Sequence, residues 1–429
     1  MINFWIPVAV LVFTFIFNIP ISLGLISSGV VYLAITGADL GIVADKIVNG
    51  MYGNYTILAV PMFVLMANFM NSGKVTQRLF DFCKALIGRK RGALAQVNVL
   101  TSVIFAGMSG SAVADASGVG MIEIEAMKED GYDLPFSCAL TSATSTVGPI
   151  IPPSIPMVIY AMLSGASVGA LFMGGVVPGL LIGGALSIYS AVVSIKRNYP
   201  RGQKYTFKQF CMHTFKAIPA LMAPVILLVG IYSGVMTPTE AGAIAALYSL
   251  LISVFVYRSM SWKQIIGCLK DTALQTGRVT IMTAASCVMS YMVAKEGVSV
   301  AAANFILSLT NDRYFILFLI ILVFTLLGMI LDVGVIQYIF LPIVIPVVSA
   351  LGIDLVHFGV CIVLVMMIGL STPPFGMCLF ITASISGCKL KDISREILPM
   401  CAVMMAILFL ITYIPALVTW LPQTMGYMG

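Results

Sequence analysis

The sequence predicts an all-α polytopic membrane protein built from two inverted repeats, with two re-entrant helical hairpins and two broken transmembrane helices. Three observations carry that prediction. Of the 429 residues, 60% are hydrophobic and 9% charged, and the mean hydropathy is +1.06, whereas soluble globular domains carry about a quarter charged residues. Two helix-breaking runs, Gly148-Pro-Ile-Ile-Pro152-Pro153 and Gly369-Leu-Ser-Thr-Pro373-Pro374, lie inside apolar segments 221 residues apart. Two other apolar segments, 93–127 and 313–350, are too long for one crossing and carry polar or glycine breaks near their middles.

Taken in order, apolar segments run over about 3–17, 20–36, 54–71, 93–127, 136–163 and 167–195. A second series follows over about 214–233, 238–257, 279–295, 313–350, 355–387 and 395–419. The polar run 196–216, with six basic residues and Pro200-Arg201-Gly202, reads as a linker between a first repeat over 1–195 and a second over 217–429. Amphipathic stretches Leu40 to Tyr52 and Trp262 to Gly277 occupy matching places and suggest interfacial helices. At an offset of 221, residues 107–153 align without gaps, and ten of 47 positions are identical. The matches are mostly turn residues, such as Gly131-x-Asp133-Leu134 with Gly352-x-Asp354-Leu355, which are harder to match by accident than Ile or Leu.

The hairpin and broken helix of the first repeat fall within 93–163, and those of the second within 313–387, before a final helix over 395–419. A hairpin that enters and leaves on one side gives each half an odd number of crossings, so the second half is inverted. Charge supports this count. Loops 74–91, 128–133, 196–216, 258–278 and 389–395 then share one side with 20 Lys and Arg, leaving Lys46, Lys295 and Arg313 opposite. By the positive-inside rule the loops are cytoplasmic and the N-terminus external.

Several function classes are poorly supported. Nucleic-acid binding has no soluble domain to carry it, and the net charge of +6 reads as orientation. Nine cysteines lie mostly in apolar segments without C-x-x-C spacing, and the only histidines are His213 and His357. Neither a histidine metal centre nor a Ser-His-Asp triad is indicated. An intramembrane hydrolase using Ser111 or Asp332 lacks a convincing base. No Walker A sequence is present, which excludes ATP hydrolysis by this chain. The first apolar run lacks a basic n-region and a small-residue cleavage site, so it reads as a retained helix.

Proline removes a backbone donor and disfavours helix in the preceding residue, so each break leaves carbonyls that need a partner. Such backbone is tolerated at membrane depth where it is buried in protein or lines a cavity, commonly to hold ions or substrate. In the first half the candidate oxygen donors are Ser109 and Ser111 at the hairpin tip, with carbonyls of Gly148, Ile151 and Pro153 at the break. In the second half Gly369, Thr372 and Pro374 take the equivalent places, and Asp332 stands where Ser111 does. An Asp at membrane depth is a functional candidate, as cation ligand or acceptor for substrate hydroxyls. Alternatively it caps the descending half-helix, and Ser109 and Ser111 cap or pack closely. Asp115, Glu123 and Glu125 read as a watered hairpin face, and Glu240 as an N-terminal helix charge. Met366-Met367 and Met404-Met405 read as lipid-facing or packing residues.

Gly107-Met-Ser-Gly-Ser-Ala-Val-Ala-Asp115, Gly148-Pro-Ile-Ile-Pro-Pro-Ser154 and Leu370-Ser-Thr-Pro-Pro-Phe-Gly376 together resemble the large membrane (M) subunit of TRAP, or tripartite ATP-independent periplasmic, transporters, across essentially the whole chain. The overall sequence most resembles the sialic-acid branch. The resemblance implies a non-enzymatic, sodium-driven elevator transporter in the bacterial inner membrane, with scaffold helices to about residue 90 in the first repeat. It implies a small four-helix membrane subunit, expected as a separate polypeptide, and a periplasmic substrate-binding protein delivering a carboxylated solute such as sialic acid. The family's cation pattern maps onto Ser109, Ser111, Gly148, Ile151 and Pro153. A second sodium site maps onto the tip from Gly328 to Gly334, including Asp332, and onto Gly369, Thr372 and Pro374. Ser111 and Asp332 are also the candidate substrate contacts. A C4-dicarboxylate or other organic-acid TRAP transporter, or a related single-chain sodium/anion carrier, remains the alternative.

Overall fold

The computed structural model describes residues 2–17, 19–53, 55–72, 75–309 and 312–427. Lys74, counted above among the cytoplasmic charges, lies outside them, as do Met1 and Gly429 at the ends of the two repeats. Among the described residues the regular structure is helical, apart from one isolated bridge pairing Arg91 with Arg201. The first series comprises α1 (Ile2–Ile16), α2 (Ile21–Thr36), α3 (Gly41–Tyr52), α4 (Ala59–Ser72), α5 (Val75–Ile87), α6 (Ala93–Ser109), α7 (Ala112–Ser117), α8 (Val119–Glu129), α9 (Leu134–Ser145), α10 (Ile155–Ser164) and α11 (Val168–Lys196). The second comprises α12 (Phe207–Tyr232), α13 (Pro238–Leu251), α14 (Trp262–Lys295), α15 (Val298–Leu309), α16 (Arg313–Gly328), α17 (Val333–Ala350), α18 (Leu355–Ser371), α19 (Met377–Ser386), α20 (Leu390–Tyr413) and α21 (Ala416–Thr424).

Helix starts repeat at the offset found in the sequence: Gly41 with Trp262, Ala112 with Val333, and Leu134 with Leu355 are each 221 residues apart. Asp133 and Asp354 precede the last pair and stand at matching N-cap positions; Asp354 Oδ1 accepts from His357 N at 2.7 Å. The broken helices cross antiparallel. Near the end of α10, Tyr160 Oη donates to Leu355 O at the start of α18 (2.7 Å), while Cys138 near the start of α9 faces Ser386 and Cys388 at the end of α19. Each hairpin also reaches the other half's second half-helix. Gln337 Nε2 of α17 donates to Pro156 O of α10 (2.9 Å), and Asp115 of α7 lies within electrostatic reach of Cys378 of α19. These paired contacts are related by exchange of the halves, the arrangement that an inverted duplication produces.

The first halves of the broken helices form the centre of the core. Side chains are buried from Phe136 to Ser145 and from Val356 to Ser371, which requires their polar members to bond internally. Met366, Met367 and Met404 belong to this core as packing residues. A smaller cluster, including Leu25, Leu33, Ala285 and Met289, joins α1, α2 and α14 to Val335 and Ile339 of α17. Val168–Lys196, Phe207–Tyr232, Pro238–Val256, Val333–Ala350 and Leu390–Tyr413 are each long and apolar enough to cross a membrane. The hairpin reading of α17 rests on its packing, because its first turns meet α10 beside a helix break.

Several expected boundaries differ. Residues 262–277 are not a separate interfacial helix: α14 runs unbroken through Gly277, where one glycine costs only about 1 kcal/mol. The loop 74–91 contains α5, whose Val75, Leu79, Phe80 and Cys83 make one buried stripe. The polar run 196–216 turns helical at Phe207, where Thr206 and Gln209 form a capping box. Helix α15 has no counterpart among the expected segments. The single final helix expected over 395–419 is two, Leu390–Tyr413 and Ala416–Thr424, because Pro415 holds Ile414 out of helical geometry.

Candidate functional site

The first tip forms where α6 ends at Gly110, whose φ of +59° places it in the left-handed region that glycine adopts without strain. A Cβ there would lie 2.6 Å from Pro153 O, so the tip backbone rests directly on the first break. Ser111 is extended and its Oγ accepts from Ala114 N at 3.4 Å, capping α7. Ser109 Oγ is buried and has no hydrogen-bond partner. Across the tip, Gly148 approaches the Ser111 carbonyl, and a Cβ on it would stand 3.8 Å away.

The break uses its donors sparingly. Gly148 N donates to Ser145 O (3.2 Å) and Ile151 N to Val147 O (3.3 Å), while the prolines contribute no N–H. Ser154 Oγ donates to Pro149 O and accepts from Met157 N at 3.2 Å, which starts α10. Among the described residues no donor reaches the carbonyls of Gly148, Ile151 or Pro153. Gly110 and Ser111 of the tip thus lie against Pro153 and Gly148 of the break, where backbone carbonyls outnumber donors.

The second tip meets its break through two glycines: a Cβ on Gly369 would lie 2.6 Å from the Cα and carbonyl carbon of Gly328. Gly369 O accepts from Thr372 N (3.0 Å) and Thr372 Oγ1 donates to Ile368 O (2.7 Å), so this break is partly self-satisfied. Asp332 Oδ1 accepts from Gly334 N at 2.9 Å and caps α17, the local role that Ser111 plays for α7. Its side chain is exposed, and among the described residues no hydrogen bond joins it to Thr372 or Pro374. Pro152 and Pro153 are buried whereas Pro374 and Phe375 are exposed, so the two breaks differ in solvent access. Both breaks contain a cis peptide bond, Pro152–Pro153 and Pro373–Pro374.

Two features escaped sequence reasoning. Asn98 Nδ2 donates to Thr141 Oγ1 (2.7 Å), Thr144 Oγ1 to Asn98 Oδ1 (2.8 Å) and Ser102 Oγ to Thr144 Oγ1 (3.3 Å), riveting α6 to α9 inside the core. The recurrence of Asn98, Thr101 and Ser102 on one helix and Thr141, Thr144 and Ser145 on the other was the available signal. At the end of α11, Arg197 Nη2 donates to both oxygens of Glu396 (2.9 and 2.8 Å) and Nη1 to Asp133 Oδ2 (3.1 Å), and Tyr199 Oη donates to the same Asp133 (2.6 Å). Burial and the bond to Asp133 push the Tyr199 pKa above its ordinary value. A third feature corrects an expectation. Asp115 and Glu123 are each 1% exposed, packed inward from hairpin 1, and only Glu125 faces outward. Glu240 does serve as an N-terminal charge, in a capping box with Thr237.

Comparison with known proteins identifies the architecture. Residues 7–417 match the family model described as tripartite ATP-independent periplasmic transporter, DctM component. The chain is 36% identical over 412 residues to the sialic acid TRAP transporter large permease protein SiaM of Vibrio cholerae, covering 96% of each chain. It is 36% identical over 377 residues to the C4-dicarboxylate TRAP transporter large permease protein DctM of Pseudomonas aeruginosa, covering 87% of each. The crystal structure of the Alcanivorax borkumensis YdaH transporter superimposes with a TM-score of 0.63 at 14% identity, over 89% of this chain and 90% of that one, a likeness of fold. The long apolar helices and these permease relatives make this an integral inner-membrane transport protein rather than an enzyme. The chain belongs to the DctM component family, the large permeases of TRAP transporters.

Proposed function

We propose that this large permease imports a carboxylated organic solute, sialic acid in the first instance, using an inward sodium gradient. The observation that carries the proposal is the meeting of each hairpin tip with a broken helix. At the first, an unpartnered Ser109 hydroxyl and three free carbonyls offer the hard oxygen ligands that a bare cation takes. Ser109, Ser111, Gly148, Ile151 and Pro153 hold one sodium ion; Gly328, Asp332, Gly369, Thr372 and Pro374 surround a second. The Asp332 cap and the exposed second break favour a site open to substrate, with Ser111 and Asp332 as substrate contacts. The hairpins and broken helices move as one body against the remaining helices in an elevator step, a reading supported by their mutual riveting through Asn98, Tyr160 and Gln337. A small membrane subunit and a periplasmic binding protein complete the transporter. The sorting of Lys and Arg supports a periplasmic N-terminus.

Uptake into proteoliposomes containing both membrane subunits tests this reading. It should require the binding protein and external sodium, and sialic acid should be taken up in preference to C4-dicarboxylates. Unchanged uptake with choline in place of sodium refutes the coupling, and preference for a dicarboxylate reassigns the substrate. Stable, active transport by the purified single chain would favour a carrier working alone.

A further inference from the structure

Two of the segments that join one helix to the next are strapped together. The turn between α5 and α6 pairs with the linker after α11 as a one-residue antiparallel bridge. Gly92 N donates to Pro200 O (2.9 Å), Gly202 N donates to Lys90 O (3.0 Å), and the residues between them, Arg91 and Arg201, face each other. Glycine permits this closure: Gly92 has a φ of +67°, and a Cβ on Gly202 would run into Gly88 O. The two bonds lie on either side of the facing residues, which therefore form a non-hydrogen-bonded pair. In such a pair the Cα atoms stand about 4.5 Å apart and the side chains leave on the same face.

Like charges directly opposite across a strand pair are destabilising. Both arginines are exposed, and among the described residues neither forms a salt bridge. Arg89, Lys90 and Lys204, close by in sequence, are exposed cations as well. Glu129 and Asp130 line a cavity of about 250 Å³ with Arg201 and Lys84, but Arg91 is not part of that lining, and Lys84 is already paired with Asp81 at 3.4 Å. The positive-inside rule accounts for these cations sharing one side of the membrane. It does not account for two of them being held against each other by the backbone. The pair also sits just beyond the end of a spanning helix: α11 is long and apolar enough to cross, and its Ile188, Val192 and Ile195 form an exposed apolar stripe at helical spacing. Phe207, at the start of α12 just past the strap, is exposed too.

We propose that Arg91 and Arg201 bind the phosphate of an anionic phospholipid whose acyl chains lie along the exposed stripe of α11. Two guanidinium groups set side by side present several N–H donors to phosphate oxygens, the recognition for which arginine is suited, and the anion between them cancels their repulsion. Basic sites beside membrane helices on the cytoplasmic side take anionic head groups in this way. A dissolved phosphate would satisfy the same guanidinium groups but would leave the apolar stripe unused. A bound lipid fastens the entry of hairpin 1 to the linker between the repeats. The choice of leaflet rests on the orientation proposed above; the site itself does not.

Native mass spectrometry of the delipidated membrane complex, titrated with phosphatidylglycerol, phosphatidylethanolamine or inorganic phosphate, tests the assignment. The wild type should bind phosphatidylglycerol most tightly. Each basic residue beside an anionic head group contributes about fivefold, so Arg91→Gln/Arg201→Gln should weaken phosphatidylglycerol about twenty-fivefold. Lys263→Gln/Lys270→Gln removes the same charge from exposed positions of α14 and should leave the affinity near that of the wild type. Wild-type affinity in the arginine pair, or an equal loss in the lysine pair, overturns the proposal, and binding of inorganic phosphate without phosphatidylglycerol overturns the lipid in favour of a soluble anion. Thermal unfolding of the single variant Arg91→Gln gives a second reading should the double variant fail to fold. Without lipid it should melt at or above the wild type, because the repulsion is relieved, and with phosphatidylglycerol below it. A lower melting temperature without lipid would show that Arg91 already has a partner in the protein and would overturn the argument. An error of orientation would appear separately, as trypsin cleaving the linker 196–206 in intact spheroplasts while lipid binding in detergent is unchanged.

Discussion

Substituting Gly369 by alanine tests the tip-and-break contact at a point where geometry allows little escape. The added Cβ would stand 2.6 Å from Gly328 Cα and carbonyl carbon and 2.9 Å from its oxygen, and all three are backbone atoms that cannot rotate away. Ordinary contact begins near 3.4 Å, so α16 and α18 must part by about 0.8 Å at the tip, in a core where overpacking costs about 1–3 kcal/mol. The helix propensity of alanine returns about 1 kcal/mol of this. Gly184→Ala is the control: it sits in α11, meets nothing within 4 Å, and should gain the propensity without the clash. Thermal unfolding in detergent should therefore place Gly369→Ala below the wild type and Gly184→Ala at or above it. A shift of this size at a binding constellation costs about a hundredfold where geometry governs rate, so sodium-activated uptake by Gly369→Ala should fall steeply. Wild-type melting and uptake in Gly369→Ala would refute the claim that the second tip is seated on its break.

Other outcomes follow from single contacts. Ser111→Ala removes a candidate ligand and a cap worth about 1 kcal/mol; it should raise the sodium concentration for half-maximal uptake by more than it lowers expression, and unaltered sodium dependence would clear Ser111 of ligation. Arg197→Ala should destabilise the protein by about 1 kcal/mol at low ionic strength and by less in high salt, since the Glu396 and Asp133 partners are partly exposed. Arg197→Lys should not restore it, because one ammonium cannot hold Glu396 and Asp133 at once as the two guanidinium nitrogens do; equal melting temperatures would show that point charge suffices. Gly277→Ala, in open space within α14, should raise stability by up to about 1 kcal/mol, and a loss would mean that this glycine serves a bend absent from the present conformation.

Much of the architecture was legible because it rests on punctuation. Gly110, Gly148, Gly328, Gly369 and the paired prolines act through backbone geometry, which residue identity dictates locally, so the tips, the breaks and the repeat offset could be read from spacing. What stayed hidden depends on neighbours far apart in the chain. Whether Asp115 and Glu123 face water or the core is decided by α5, α6, α9 and α19 closing over them, and one strand of sequence carries no record of that closure. Arg197 looked like one of six linker cations until folding brought Asp133 and Glu396 to it. The continuity of α14 was missed for a different reason: polarity along 262–277 marks exposure, and exposure does not end a helix that lacks a breaker.

The central claim is that each hairpin tip and helix break close around a transported cation. The most direct measurement is a pair of cryo-electron microscopy reconstructions of the intact membrane complex, one in sodium and one in choline. Density should appear in sodium between the Ser109 and Ser111 hydroxyls and the carbonyls of Gly148, Ile151 and Pro153, and vanish in choline. An empty first break in both, in a complex whose uptake still depends on sodium, would contradict the account.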